Sequence, residues 1–204
     1  MSEGARRTAL ITGASAGIGA ALARVYAEKG WDIVLTARRE APLHALAARI
    51  VAAHGVAATV LSADLADPAA SHRLVAALTA RGLTIDALVN NAGFSRTTGF
   101  LATDPTDHAA MVQVMLSAPI ALSRLLLPGM VQRGFGRILN VASLAGLMPA
   151  TGGDTLYGPI KSFLIKASAG LNLELQGTGV HCTALCPGYT LTEFHDVNGS
   201  REQV

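Results

Sequence analysis

The sequence predicts a single α/β domain built on a doubly wound parallel sheet, and three observations carry that prediction. Short apolar or β-branched runs alternate with longer helix-period segments from one end of the chain to the other. Several of these runs are almost continuously apolar, as strands covered on both faces must be. A glycine-rich turn, T-G-A-S-A-G-I-G at 12–19, stands where the first strand passes into the first helix.

Strands are expected near 8–12, 31–37, 56–61, 85–90, 136–142 and 179–185, and helices over 17–29, 40–53, 68–80, 105–131 and 154–176. Asp67-Pro68 and Asp104-Pro105 mark helix starts, because aspartate accepts from the orphan N–H groups of a first turn and proline fits its fixed φ there. Strand, helix, strand, repeated, implies right-handed crossovers and a parallel sheet with helices on each side. Ligands of such a sheet sit outside the carboxyl ends of the strands, where strand order reverses. The chemistry is therefore sought in residues that follow strands.

Composition bounds the function. The chain has 204 residues, 50% apolar and 15% charged, with 21 glycines, which fits one compact domain and excludes a disordered chain or a disulfide-stapled scaffold. A mean hydropathy of +0.40 asks for buried parallel strands or burial between subunits. The oiliest stretch, Met111 to Met130, is interrupted by Pro119, Arg124 and Pro128, so it reads as a core or interface helix and no membrane partner is expected. The first residues pass directly into Thr8-Ala9-Leu10-Ile11 without a secretory pattern, and a cytoplasmic location is expected. A net charge of +2 with scattered signs gives no reason to expect a nucleic-acid partner. Cys182 and Cys186 read as buried thiols, and dispersed histidines give no metal site.

The glycine turn has a physical use. Gly13, Gly17 and Gly19 allow a tight bend and close backbone approach, and Ser15, Ala16 and Ile18 bring free N–H groups to the positive end of a helix, where a pyrophosphate binds. The G-x-x-x-G-x-G spacing differs from the usual dinucleotide fingerprint, and no Gly-Lys-Ser/Thr follows. About twenty residues further on, where an acid would hold a ribose 2′-hydroxyl, the chain reads Thr36-Ala37-Arg38-Arg39. A guanidinium suits a 2′-phosphate, so NADP(H) is expected in preference to NAD(H), with Arg38 the first candidate and Arg39 the second.

Tyr157 and Lys161 stand one above the other on a predicted helix face. An ammonium beside a phenol favours the phenolate, and lowering a tyrosine from about 10 by some three units takes roughly 4 kcal/mol. Carbonyl reduction needs such a group, because hydride arriving at carbon leaves an oxyanion that must be protonated. Ser143, at the end of the fifth strand, can donate a second hydrogen bond to that oxygen.

With these pieces in order, the sequence resembles the short-chain dehydrogenase/reductase family in its compact form. The matching residues are T-G-A-S-A-G-I-G at 12–19, Asp64-Leu65, Asn90-Asn91-Ala92-Gly93, Ser143, Y-G-P-I-K at 157–161 and Pro187-Gly188. The resemblance implies a Rossmann-like fold and a nicotinamide-dependent oxidoreductase acting on a small-molecule ketone or secondary alcohol. Tyr157 would be the general acid/base, Ser143 would position the substrate oxygen, and Lys161 would bind the nicotinamide ribose and lower the tyrosine pKa. Asp64 and Leu65 would lie at the adenine and Asn90 on the adenosine ribose side, with Ala92 and Gly93 close to the cofactor. Pro187 and Gly188 would flank the nicotinamide, with Thr190 or Thr192 at its carboxamide or the phosphates. A homodimer or homotetramer follows by the same analogy.

Two departures qualify the match. Met115 stands where the family has an asparagine that anchors a proton-relay water. A thioether cannot replace that amide, but Pro119, four residues on, has no N–H for the Met115 carbonyl and leaves it free for the water, so a slower relay rather than inactivity is expected. Residues 1–204 are expected to be one dinucleotide-binding and catalytic domain, with 188–204 opening a substrate lid and further family elements missing. Competing expectations are a 3-oxoacyl thioester reductase, for which no clear basic patch stands out, and an NADP(H)-binding sensor or scaffold impaired in catalysis.

Overall fold

The computed structural model describes residues 6–96, 98–150 and 156–190. Among them six parallel strands form one sheet: β1 (Thr8–Thr12), β2 (Asp32–Thr36), β3 (Ala58–Val60), β4 (Ala87–Asn90), β5 (Gly136–Val141) and β6 (Val180–Leu185), in the order β3-β2-β1-β4-β5-β6. The helices are α1 (Gly17–Glu28), α2 (Glu40–His54), α3 (Ala70–Ala80), α4 (Pro105–Val112), α5 (Ala118–Gln132) and α6 (Tyr157–Glu174). Strand order reverses between β1 and β4, so the loops after those strands open a crevice at the carboxyl edge of the sheet.

Adjacent strand residues serve opposite layers, which is why the central strands carry apolar residues on both faces. Ile11, Ile33 and Leu35 pack with Ala20 and Ala23 of α1 and Leu43, Leu46 and Ile50 of α2. Their neighbours Leu10 and Val34 turn the other way, to Leu74 and Leu78 of α3 and Leu122 and Met130 of α5. Burying such a side chain contributes about 1.5–3 kcal/mol, so the two layers hold the crevice in place from both faces. At the amino edge, Arg7 lies between aromatic rings, its guanidinium 3.8 Å from the centroid of Phe135 and 5.7 Å from that of Trp31.

The helix expected over 105–131 is interrupted. Gln113–Ser117 form a π-helical turn in which the Ala118 N–H donates to the Gln113 carbonyl. Pro119 has no N–H for the Met115 carbonyl, and the ladder shifts to the wider spacing there. The whole segment Pro105–Gln132 is long and apolar enough to cross a membrane by length and composition. Here it is a core helix, with Met111, Met115, Leu122 and Met130 buried. Asp104 caps α4 by accepting from the Thr106 N–H at 2.8 Å, as expected. Asp67 instead accepts from Ala69 N at 2.8 Å in a turn that precedes α3, so that helix begins at Ala70 rather than 68. The expected beginning of α6 at 154 lies outside the described residues.

Candidate active site

Thr12, the last residue of β1, ties the two central loops together. Its hydroxyl donates to Val89 O at 3.2 Å and accepts from the N–H groups of Asn91 and Ala92 at 2.9 and 3.0 Å. Asn91 returns the contact: its side-chain amide donates to the carbonyls of Thr12 and Gly13 at 2.9 and 3.1 Å. The glycines make room for this. Gly13 has φ +65°, and a Cβ on it would lie 2.8 Å from the Ala92 Cα. One on Gly19 would lie 2.5 Å from both the Gly13 carbonyl oxygen and the Asn91 amide.

The first turn of α1 carries no acidic residue and no side-chain cap, with Ala16 at the cap position. Its N–H groups and the positive end of the helix are thus left to an outside anion. Arg39 reaches across from the end of β2, its guanidinium donating to Ser15 Oγ at 3.2 Å, whereas Arg38 is exposed beside it. The bare glycine turn, the uncapped helix and the arginine over Ser15 fit a phosphate-bearing dinucleotide. Asp64 is exposed and accepts from Ala66 N at 3.0 Å. The Leu65 side chain is buried with Ala70 and Met111, which leaves only its backbone for a cofactor.

On the other side of the crevice, Ser143 leaves β5 in extended conformation and starts the short 3-10 turn Leu144–Gly146, accepting from Ala145 N at 3.2 Å. That bond does not use the hydroxyl hydrogen, which can be donated. The turn presses against the start of α6: a Cβ on Gly146 would lie 2.6 Å from the Lys161 carbonyl carbon and 2.7 Å from Ser162 N. Only glycine permits that approach. Tyr157 opens α6 and packs partly buried against the layer that holds Met111, Met115 and Ile160. One turn on, Lys161 is buried; its Nζ donates to the Val141 carbonyl at 2.7 Å and stands 5.4 Å from the Tyr157 ring centroid. Burial pulls the ammonium down from 10.5 to about 8, and the nearby Cys186 opposes that shift.

Comparison with known proteins decides the family. The short chain dehydrogenase family profile matches residues 7–203. The chain belongs to the short-chain dehydrogenase family. Serine 3-dehydrogenase of Agrobacterium fabrum is 38% identical over 92% of this chain and 73% of its own length. The NADP-dependent 3-hydroxy acid dehydrogenase of Salmonella typhi is 36% identical over 92% of this chain and 75% of its own. A short-chain dehydrogenase from Sphingobium yanoikuyae, solved in complex with NADPH, superimposes with a TM-score of 0.89 at 38% identity, covering 95% of this chain and 75% of the other.

In this short-chain dehydrogenase the side chain of Asn90, a residue expected on the adenosine ribose side, is buried and donates to Asn140 Oδ1 at 2.8 Å and Ser123 Oγ at 3.4 Å, which leaves its backbone for a cofactor. Asn140 in turn donates to Ser168 Oγ at 2.8 Å, so this amide pair stitches β4, β5, α5 and α6 together beneath the crevice. Gly93 lies at the crevice, where a Cβ would be 3.1 Å from the Met115 sulfur and 3.8 Å from Lys161 Nζ. The Pro187 carbonyl accepts from Leu144 N at 2.9 Å, and the Gly188 carbonyl accepts from the Thr190 hydroxyl at 3.1 Å. This joins the loop after β6 to the Ser143 turn. Thr192 and the rest of the expected lid after 190 lie outside the described residues. Asn91, Gly146 and the Asn140–Ser168 pair went unpredicted.

Proposed function

We propose that this chain is an NADP(H)-dependent oxidoreductase that interconverts a ketone or other carbonyl and the corresponding secondary alcohol. The observation that carries the reading is the buried Lys161 ammonium, fixed by Val141 O at 2.7 Å and lying under the Tyr157 ring beside the turn that begins at Ser143. Tyr157 gives a proton to the substrate oxygen in reduction and takes it back in oxidation. Ser143 donates a hydrogen bond to the same oxygen, which stabilises the charge that develops there. Lys161 keeps a positive charge under the phenol and presents its remaining N–H groups to the cofactor ribose.

The nicotinamide, when bound, supplies or accepts the hydride equivalent. Gly13, Ser15, Ala16, Gly17, Ile18 and Gly19 would hold the phosphates of the dinucleotide, with Arg39 and Arg38 at a 2′-phosphate. Asp64 and the Leu65 backbone flank the adenine. Ala92, Gly93, Pro187, Gly188 and Thr190 border the nicotinamide side, and Thr192 is assigned with them. NADP-dependence in the Salmonella relative and bound NADPH in the Sphingobium neighbour support the cofactor. A cytoplasmic, homo-oligomeric enzyme fits the two free thiols and the half-exposed apolar residues Ile120 and Phe163 on α5 and α6.

The test is cofactor oxidation with a carbonyl panel, comparing NADPH with NADH and the parent with Tyr157→Phe. Turnover that prefers NADPH and falls by about a thousandfold or more in Tyr157→Phe is expected. NADPH binding with no tyrosine-dependent turnover would overturn the enzymatic reading.

A further inference from the structure

The two arginines assigned to a 2′-phosphate are followed at once by an acid. Arg38-Arg39-Glu40 close the turn after β2 and open α2, with Arg39 at the cap position and Glu40 in the first turn of the helix. A carboxylate suits that turn, because the positive end of the helix stabilises it. It is a poor neighbour for a phosphate. A negative charge beside the 2′-phosphate would offset much of what one arginine contributes there, and the same carboxylate would accept a hydrogen bond from the bare 2′-hydroxyl of NAD(H).

A second residue holds this acid. Glu40 Oε1 accepts from the Ser62 hydroxyl at 2.5 Å. The sheet sets the place of the serine: Leu61 N–H donates to Leu35 O at 3.0 Å and Ala63 N–H to Ala37 O at 3.1 Å. Residues 61–63 therefore run beside 35–37, and Ser62 stands next to the turn that carries the arginines. Glu40 and Ser62 both border a groove outside β3 that His44, Arg73 and Arg81 also line. Arg73 is paired with Asp67 at 2.6 Å, so Arg81 is the charge among these lining residues that favours a carboxylate on that side. Arg39 reaches elsewhere, its Nη2 donating to Ser15 Oγ at 3.2 Å over the glycine turn. The acid and the arginine next to it in the chain are anchored at different places, one at the outer groove and one at the phosphate loop.

We propose that Ser62 is a positioning residue for cofactor selection: it holds the Glu40 carboxylate in the outer groove, away from a 2′-phosphate at Arg38 and Arg39. Preference for NADP(H) then depends on a hydroxyl that acts only through Glu40. This rests on the NADP(H) site proposed above and names a determinant of its specificity.

The experiment measures equilibrium binding of NADPH and NADH by fluorescence titration in the parent, Ser62→Ala, Ser62→Thr and the double variant Ser62→Ala/Glu40→Gln. Ser62→Ala releases Glu40 toward the arginines and weakens NADPH binding about threefold or more, while NADH binds as before or more tightly, so the ratio of the two Kd values narrows. Ser62→Thr keeps a hydroxyl and the parent ratio. Glu40→Gln in the alanine background restores the ratio, because an amide carries no charge. That restoration separates a displaced charge from a loosened turn, and the narrowing in Ser62→Ala shrinks at high salt. An unchanged ratio in Ser62→Ala overturns the proposal, as does a narrowing that survives Glu40→Gln; with a parent that prefers NADPH, either result leaves the cofactor assignment standing. A parent that binds NADH as tightly as NADPH overturns both.

Discussion

The Lys161 ammonium is 2.7 Å from the Val141 carbonyl oxygen and 5.4 Å from the centre of the Tyr157 ring, so one buried cation serves both the end of β5 and the phenol. Its position sets two opposing requirements. The proposed chemistry needs the charge, and burial disfavours it.

The first consequence is a pH dependence of turnover. Lys161 titrates near 8 rather than at its ordinary 10.5, so the charge under Tyr157 is lost as pH rises through about 8. The kcat for carbonyl reduction should fall across that range. A kcat that stays flat from pH 7 to about 10 would show that the phenol does not depend on the ammonium.

Stability responds with the opposite sign. Between about 8 and 10.5 the unfolded lysine holds its proton while the folded one has released it, so stability rises with pH through that window. Below about 8 both are protonated and the full burial penalty remains. Lys161→Met removes the penalty but leaves the Val141 carbonyl without its donor, for a net gain of about 1–2 kcal/mol at pH 7. Urea unfolding should therefore show a more stable protein that has lost its turnover.

Asn91→Asp keeps the size of the side chain and removes its donors. The carboxylate would face the Thr12 and Gly13 carbonyls, now 2.9 and 3.1 Å from the amide nitrogen. A loss of about 2–3 kcal/mol and at least tenfold weaker NADPH binding are expected, measured by unfolding and by fluorescence titration.

Gly146→Ala places a methyl group against backbone atoms of α6 at 2.6 and 2.7 Å, where no side chain can yield. The Ser143 turn must move away from Lys161. A destabilisation of about 1–3 kcal/mol should accompany a drop in kcat larger than the change in NADPH affinity.

Met115→Asn tests the relay. Met115 is buried in the π turn, with its sulfur close to the Gly93 backbone and, across it, Lys161. An amide there lowers the melting temperature, because a polar group enters an apolar pocket, and raises kcat by about two- to tenfold if proton supply limits the rate. Unchanged turnover across pH would mean that the relay is not limiting.

Every strand and all the major helices were legible in the sequence, because runs such as Thr8–Thr12 and Asp32–Thr36 are apolar on both faces and the segments between them keep helical period. The π turn was not. Pro119 announced a missing donor, but only the three-dimensional ladder shows that the Ala118 N–H turns back to Gln113. Asn91 was given no role in the sequence reading, and strand parity could have supplied one. Leu88 faces the layer of α3 and α5, so Asn90, two residues on, faces it too, and Asn91 turns toward the glycine loop. Gly146 carried a weaker signal, a glycine three residues after Ser143, whose meaning appears only when α6 is packed against it.

Because all six strands run in one direction, the edge where Arg7 sits between Phe135 and Trp31 is as far from the crevice as the sheet allows. Lys29, exposed just before β2 on that edge, offers an amine for attachment to a resin or electrode. A protein tethered there would present its reactive mouth to the bulk solution.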